Sequence, residues 1–177
     1  PSDVPNDAPQ RQGTSLPSHP QSWTGPDSKY TKLREILDQV WAEEPDAKVL
    51  VFSFFKGTVT YLADRLDREG FPALWINGDV PSTPNRPEHD ERGKRIRQFR
   101  EDPAIRVLIS TEVGSEGLDF QFCHHLVNYD LPWNPMVVEQ RIGRIDRFGQ
   151  ESQVIHIHNL IVDGTVEDQI LFRLYDR

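Results

Sequence analysis

The chain carries a single cysteine, Cys123, among its 177 residues, which excludes an intramolecular disulfide and any cysteine-rich zinc cluster. A reducing compartment, the cytoplasm, is the expectation. No apolar run exceeds a handful of residues, so the sequence holds neither a membrane-spanning helix nor a coiled coil. The chain starts at Pro1 with no initiator methionine and no basic-then-apolar signal segment, and it reads as a fragment of a longer protein. Basic residues are in deficit too. With 20 Lys and Arg against 28 Asp and Glu, the net charge of −8 argues against a nucleic-acid coat that is basic all over, so any such contact is local. The concentrated exception is Arg92, Lys94, Arg95, Arg97 and Arg100. The length suits one domain with a substantial core.

Residues 1–27 hold six of the 14 prolines with only isolated apolar side chains. Burial there cannot offset the entropy of ordering, and the stretch reads as a flexible leader or linker. The pattern changes at Ser28. Leu33, Ile36, Leu37, Val40 and Trp41 recur at helical spacing, capped by Asp27 or Ser28 and ended by Pro45. Beyond this helix, β-branched runs alternate with helical periods. Strands are predicted at residues 48–53, 73–76, 106–110, 126–129 and 154–160, and helices at 58–69, 88–100, 135–148 and 166–175. Gly70 closes the first of these helices, and Pro81, Pro84 and Pro87 make an irregular loop. Such alternation requires crossover connections, hence a mostly parallel sheet covered on both faces.

Ligands of open parallel sheets bind beyond the carboxyl ends of the strands, which directs attention to two segments. In the first, residues 110–119, Gly114 and Gly117 let backbone N–H groups approach a phosphate, Thr111 offers a hydroxyl, and Asp119 can accept from a ribose hydroxyl. A glycine-containing turn with a capping threonine accounts for the same residues. In the second, residues 140–150, a helix over 135–148 would align Gln140, Arg144 and Arg147 on one stripe and Val138, Ile142 and Ile145 on the other. Like charges one turn apart repel by roughly a few tenths of a kcal/mol. An anion between them resolves the conflict, and two guanidiniums that keep their charge suit a nucleotide triphosphate. A solvated basic face is the other reading.

These two segments, with residues 128–135 between them, resemble motifs V, Va and VI of superfamily 2 helicases and translocases. The resemblance is to the Swi/Snf type, in particular the bacterial RapA-like group. It runs over residues 28–177 and includes residues 49–55 as the motif IV strand. It implies a RecA-like three-layer α/β fold with a mostly parallel sheet and helices on both faces. The implied function is the second motor lobe of an ATP-dependent DNA helicase or translocase. Arg144 and Arg147 would then reach the ATP phosphates as arginine fingers, with Gln140, Gly117 and Asp119 on the nucleotide side. Thr111, Ser53 and Arg92 would contact nucleic acid. The implied partners are a first RecA-like lobe of the same parent chain, double-stranded DNA, and RNA polymerase or another protein–DNA complex. The sequence contains no Gly-x-x-x-x-Gly-Lys-Ser/Thr loop and no Asp-Glu-x-His/Asp strand. ATP and Mg²⁺ are therefore expected to be cradled by the first lobe, and the lobe alone is expected to be inactive. A non-catalytic RecA-like protein-binding module is the rival reading, but a scaffold has no need of two like charges aimed at a cleft.

The histidines read as structural. His156 and His158 share one face of a strand without a third ligand at convincing spacing. His124 and His125 are adjacent, and adjacent strand residues point to opposite faces, which argues against a shared site. Cys123 reads as a small buried apolar residue. The basic cluster of residues 92–100 either tracks a phosphate backbone or is a solvated helix face. Trp133 and Asn134 are expected to shape the loop before the motif VI helix.

Overall fold

The computed structural model describes residues 27–83 and 90–162. The leader up to residue 26, residues 84–89 of the proline loop and the helix expected at 166–175 lie outside them. Among the described residues, ten elements follow in order: α1 (Ser28–Glu43), β1 (Val49–Phe52), α2 (Lys56–Arg68), β2 (Ala73–Ile76), α3 (Glu91–Glu101), β3 (Val107–Ser110), α4 (Glu112–Ser115), β4 (His125–Asn128), α5 (Pro135–Ile142) and β5 (His156–Asn159). No helix among the described residues is long and apolar enough to cross a membrane.

All strand pairs are parallel, in the order β2-β3-β1-β4-β5. The register aligns the first residues of the strands in one row, Ala73, Val107, Val49, His125 and His156, and their last residues in another, Ile76, Ser110, Phe52, Asn128 and Asn159. Side chains alternate across the sheet. Val49, Val51, Val107, Ile109 and Val127 point to one face, where α1 and α2 bring Leu33, Leu37, Val59 and Leu62 onto them. Leu50, Phe52, Leu108 and Leu126 point to the other, where they meet Phe99 of α3, Phe120 and Ile145. Both faces are thus buried, so every residue of β1, β3 and β4 is buried, and β1 reads as a continuous apolar run.

Helix ends follow local chemistry. Asp27 accepts from the Tyr30 N–H at 2.9 Å and caps α1. At the end of α2, Gly70 takes φ +85, its N–H donating to Asp67 O at 3.0 Å and that of Phe71 to Leu66 O at 2.9 Å. This is a Schellman closure. A Cβ at Gly70 meets nothing within 4 Å, so Gly70→Ala costs only its backbone term, about 1–2 kcal/mol. Urea unfolding should show that loss with an unchanged m-value.

The structure corrects the helix expected at 135–148. α5 ends at Ile142, and residues 143–149 form turns. Two contacts divert the chain there: the Phe120 N–H donates to Arg144 O at 3.0 Å, and Ile145 is fully buried in the second core. Gln140, Arg144 and Arg147 therefore do not form a single helical stripe.

Candidate functional site: the motif V and motif VI segments at the carboxyl ends of the strands

The residues leaving the carboxyl row converge. Thr111 follows β3 and caps α4, its Oγ1 accepting from the Gly114 N–H at 3.0 Å. The turn with a capping threonine is thus present. Gly114 is required by crowding, because a Cβ there would lie 2.5 Å from Ile76 O and 2.9 Å from Asn77 Cα. Its N–H serves the cap, leaving Gly117, exposed and at φ +73, as the open glycine of the segment. Asp119 is exposed, one residue before the Phe120 link to Arg144.

Asn134 caps α5, accepting from Met136 N–H at 3.0 Å, with Pro135 in the first turn. Within α5, Arg141 is only 1% exposed. Its Nε donates to Glu112 Oε1 at 2.7 Å and its Nη2 to the same oxygen, while Nη1 donates to Asn128 Oδ1 at 2.7 Å and Asp130 O at 2.8 Å. Phe52 and Phe54 lie against the guanidinium, each ring centroid 5.1 Å away. Burial pushes Arg141 below the ordinary arginine range, and the Glu112 carboxylate opposes that push. Asn128 passes the network on, its Nδ2 donating to Asn159 Oδ1 at 2.8 Å. One side chain thereby ties the loop after β3 to the ends of β4 and α5.

The sequence reading passed over Arg141 and Glu112. Arg141 stands three residues after Val138 and four before Ile145, on the apolar side of the projected helix. A cation on that side marks a buried partner of opposite charge.

The flanking groups face outward. Gln140 is exposed, and Arg144, partly buried, lines a small cleft with Glu112, Ser115, Val137 and Arg141. Arg147 is exposed and donates from Nε to Gly143 O at 2.9 Å. Among the described residues neither Arg144 nor Arg147 pairs with a carboxylate.

The residues expected to touch nucleic acid are more enclosed. Ser53, fully buried, donates from Oγ to Asp130 Oδ2 at 2.5 Å, and Asp130 also receives the Phe54 N–H at 3.3 Å. Thr111 is 5% exposed. Arg92 donates from Nη2 to Val80 O at 3.0 Å and from Nη1 to Val113 O at 3.5 Å, joining α3 to α4. Arg95 binds Trp75 O at 2.5 Å, and Lys94 pairs with Glu91 at 2.7 Å. Much of the basic cluster therefore braces the fold.

Cys123 is fully buried in the second core, and burial pushes its thiol up to about 12, as suits an inert apolar filler. The reading of His124 and His125 is corrected. His124 precedes β4, so strand alternation does not separate the two, and their rings lie 4.5 Å apart beside Glu44.

This sheet order and the joined motif V and motif VI segments define a RecA-like α/β lobe. The chain belongs to the helicase conserved C-terminal domain family, whose pattern matches residues 28–149. It is 41% identical over 150 residues to an ATP-dependent helicase of Bacillus subtilis, YqhH, covering 83% of this chain and 24% of that protein. Over 163 residues it is 37% identical to the RNA polymerase-associated protein RapA of Vibrio campbellii, covering 88% of this chain and 16% of RapA. The C-terminal part of the Fun30 ATPase domain superimposes with a TM-score of 0.70 at 25% identity, covering 82% of this chain and 44% of that one. The chain thus spans a quarter or less of these two curated relatives.

Proposed function

We propose that the chain is the second motor lobe of an ATP-dependent translocase acting on double-stranded DNA. The observation that carries the reading is the division of labour among the motif VI arginines. Arg141 is buried against Glu112 and fixes the segment, while Arg144 and Arg147 lack carboxylate partners among the described residues. Rigidly based cations without counter-charges suit an anion brought from outside, and ATP phosphates fit that description. Gln140, Gly117 and Asp119 then lie on the nucleotide side.

Three of the carboxylates at this end are already engaged and do not suit Mg²⁺. Glu112 is paired with Arg141, Asp130 with Ser53 and Lys29, and Asp79 with Lys56. A phosphate loop and metal-binding acids supplied by a first RecA-like lobe of a longer parent chain complete the site. Exposed Phe54, Phe55, Val113, Trp133 and Met136, in the segments after β1, β3 and β4, offer apolar surface for that lobe. Thr111 and Arg92 border the nucleic-acid track, and Ser53 contributes by holding Asp130 and the Phe54 backbone. The likeness to RapA supports an RNA polymerase complex, or another protein–DNA complex, as the assembly acted upon.

The test compares chain and parent. The 177-residue chain should show no measurable ATP hydrolysis and at most weak, salt-sensitive DNA binding, whereas the parent should hydrolyse ATP faster when duplex DNA is added. Robust hydrolysis by the chain alone contradicts the two-lobe reading. A parent that is silent with and without DNA favours the non-catalytic protein-binding module.

A further inference from the structure

At the amino ends of the strands, opposite the motif V and motif VI segments, four histidines and a glutamate gather. His125 opens β4 and sits in register with His156 of β5, and their rings stack 4.7 Å apart with an interplanar angle of 12°. His158 lies next along the same face, its ring 6.2 Å from that of His125. Glu44, at the end of α1, approaches from the helical layer. Its Oε2 lies 2.7 Å from His124 Nε2, and its Oε1 lies 3.5 Å from His125 Nε2.

We propose that Glu44, His124 and His125 form a binding site for a divalent transition-metal ion, with Zn²⁺ the best match to two imidazoles and a carboxylate. One potential ligand atom from each of the three lies within 4.8 Å of the others. Tetrahedral Zn²⁺ with bonds of about 2.0–2.1 Å sets its ligand atoms about 3.3 Å apart. The His125–Glu44 separation of 3.5 Å already meets that spacing. The His124–Glu44 contact of 2.7 Å is a hydrogen bond that opens slightly as metal replaces the proton.

The second observation is His125 itself. It is 4% exposed, yet neither ring nitrogen makes a hydrogen bond. A buried imidazole that makes no hydrogen bond is costly, and metal ligation removes that cost. Glu44 and His124 also line an open groove with Asp46 and Phe122, through which metal enters and water supplies the fourth position. The ion would tie the end of α1 to the start of β4.

The test uses the tag-free full chain with Zn²⁺ alone. Calorimetric titration should give one Zn²⁺ per chain with a raised melting temperature, and Co²⁺ substitution should give the intense visible bands of a four-coordinate centre. Glu44→Gln and His124→Gln, at partly exposed positions, should keep the circular dichroism spectrum and weaken Zn²⁺ binding more than about 100-fold, beyond the usual loss from a merely supporting residue. His158→Gln should leave the affinity within about threefold, a change under 1 kcal/mol. Absence of stoichiometric binding, wild-type affinity in both ligand variants, or equal loss in His158→Gln each overturns the assignment.

Discussion

Replacing Arg147 by alanine in the full-length parent should lower the proposed DNA-stimulated ATP turnover by about three to five orders of magnitude, the contribution associated with an arginine finger. The expectation rests on what Arg147 does not do within the chain. It is exposed, and among the described residues its side chain makes one hydrogen bond, from Nε to the Gly143 carbonyl at 2.9 Å, so its removal should change stability by no more than about 0.5 kcal/mol. Arg147→Lys should not restore activity, since an ammonium cannot reproduce a planar fork on a phosphate chain. Steady-state ATPase assays paired with thermal melts make the check. Undiminished turnover in a folded Arg147→Ala parent would remove the finger role.

The largest stability effect belongs to the Glu112–Arg141 pair, and it should be asymmetric. Glu112→Ala strands a guanidinium on a residue that is 1% exposed, and removing one partner of a buried pair costs about 3–5 kcal/mol. Arg141→Met instead leaves the Glu112 carboxylate, whose side chain is 30% exposed and can reach water. Its cost should be nearer 1–3 kcal/mol, roughly the unmet acceptors on Asn128 and Asp130. Urea unfolding of both variants decides the matter, and equal losses would mean that the pair is better hydrated than its burial indicates.

The sheet and helices were legible because their signals are local. Leu33, Leu37 and Val40 mark α1 by spacing alone, and Gly70 announces the end of α2 by the φ it must take. The turn after Ile142 was not legible. It depends on the Phe120 N–H reaching Arg144 O and on Ile145 seating beneath the sheet, contacts made by parts of the chain far apart in sequence. The same limit hid Glu44, 80 residues from His124, as the third member of the histidine group. Motif spacing located the outward arginines but was silent about Arg141, because a repeated residue type does not reveal which copy turns inward. Only the neighbouring apolar positions carried that information.

The Arg141 tether has a mechanical corollary. With the β3 and β4 exits and α5 fastened through one guanidinium and the backbone link at Arg144, this half of the sheet has little internal slack. In the proposed motor, a push delivered at one motif should reach the other with little loss, so that the plate moves whole and the stroke bends at joints beyond its rim.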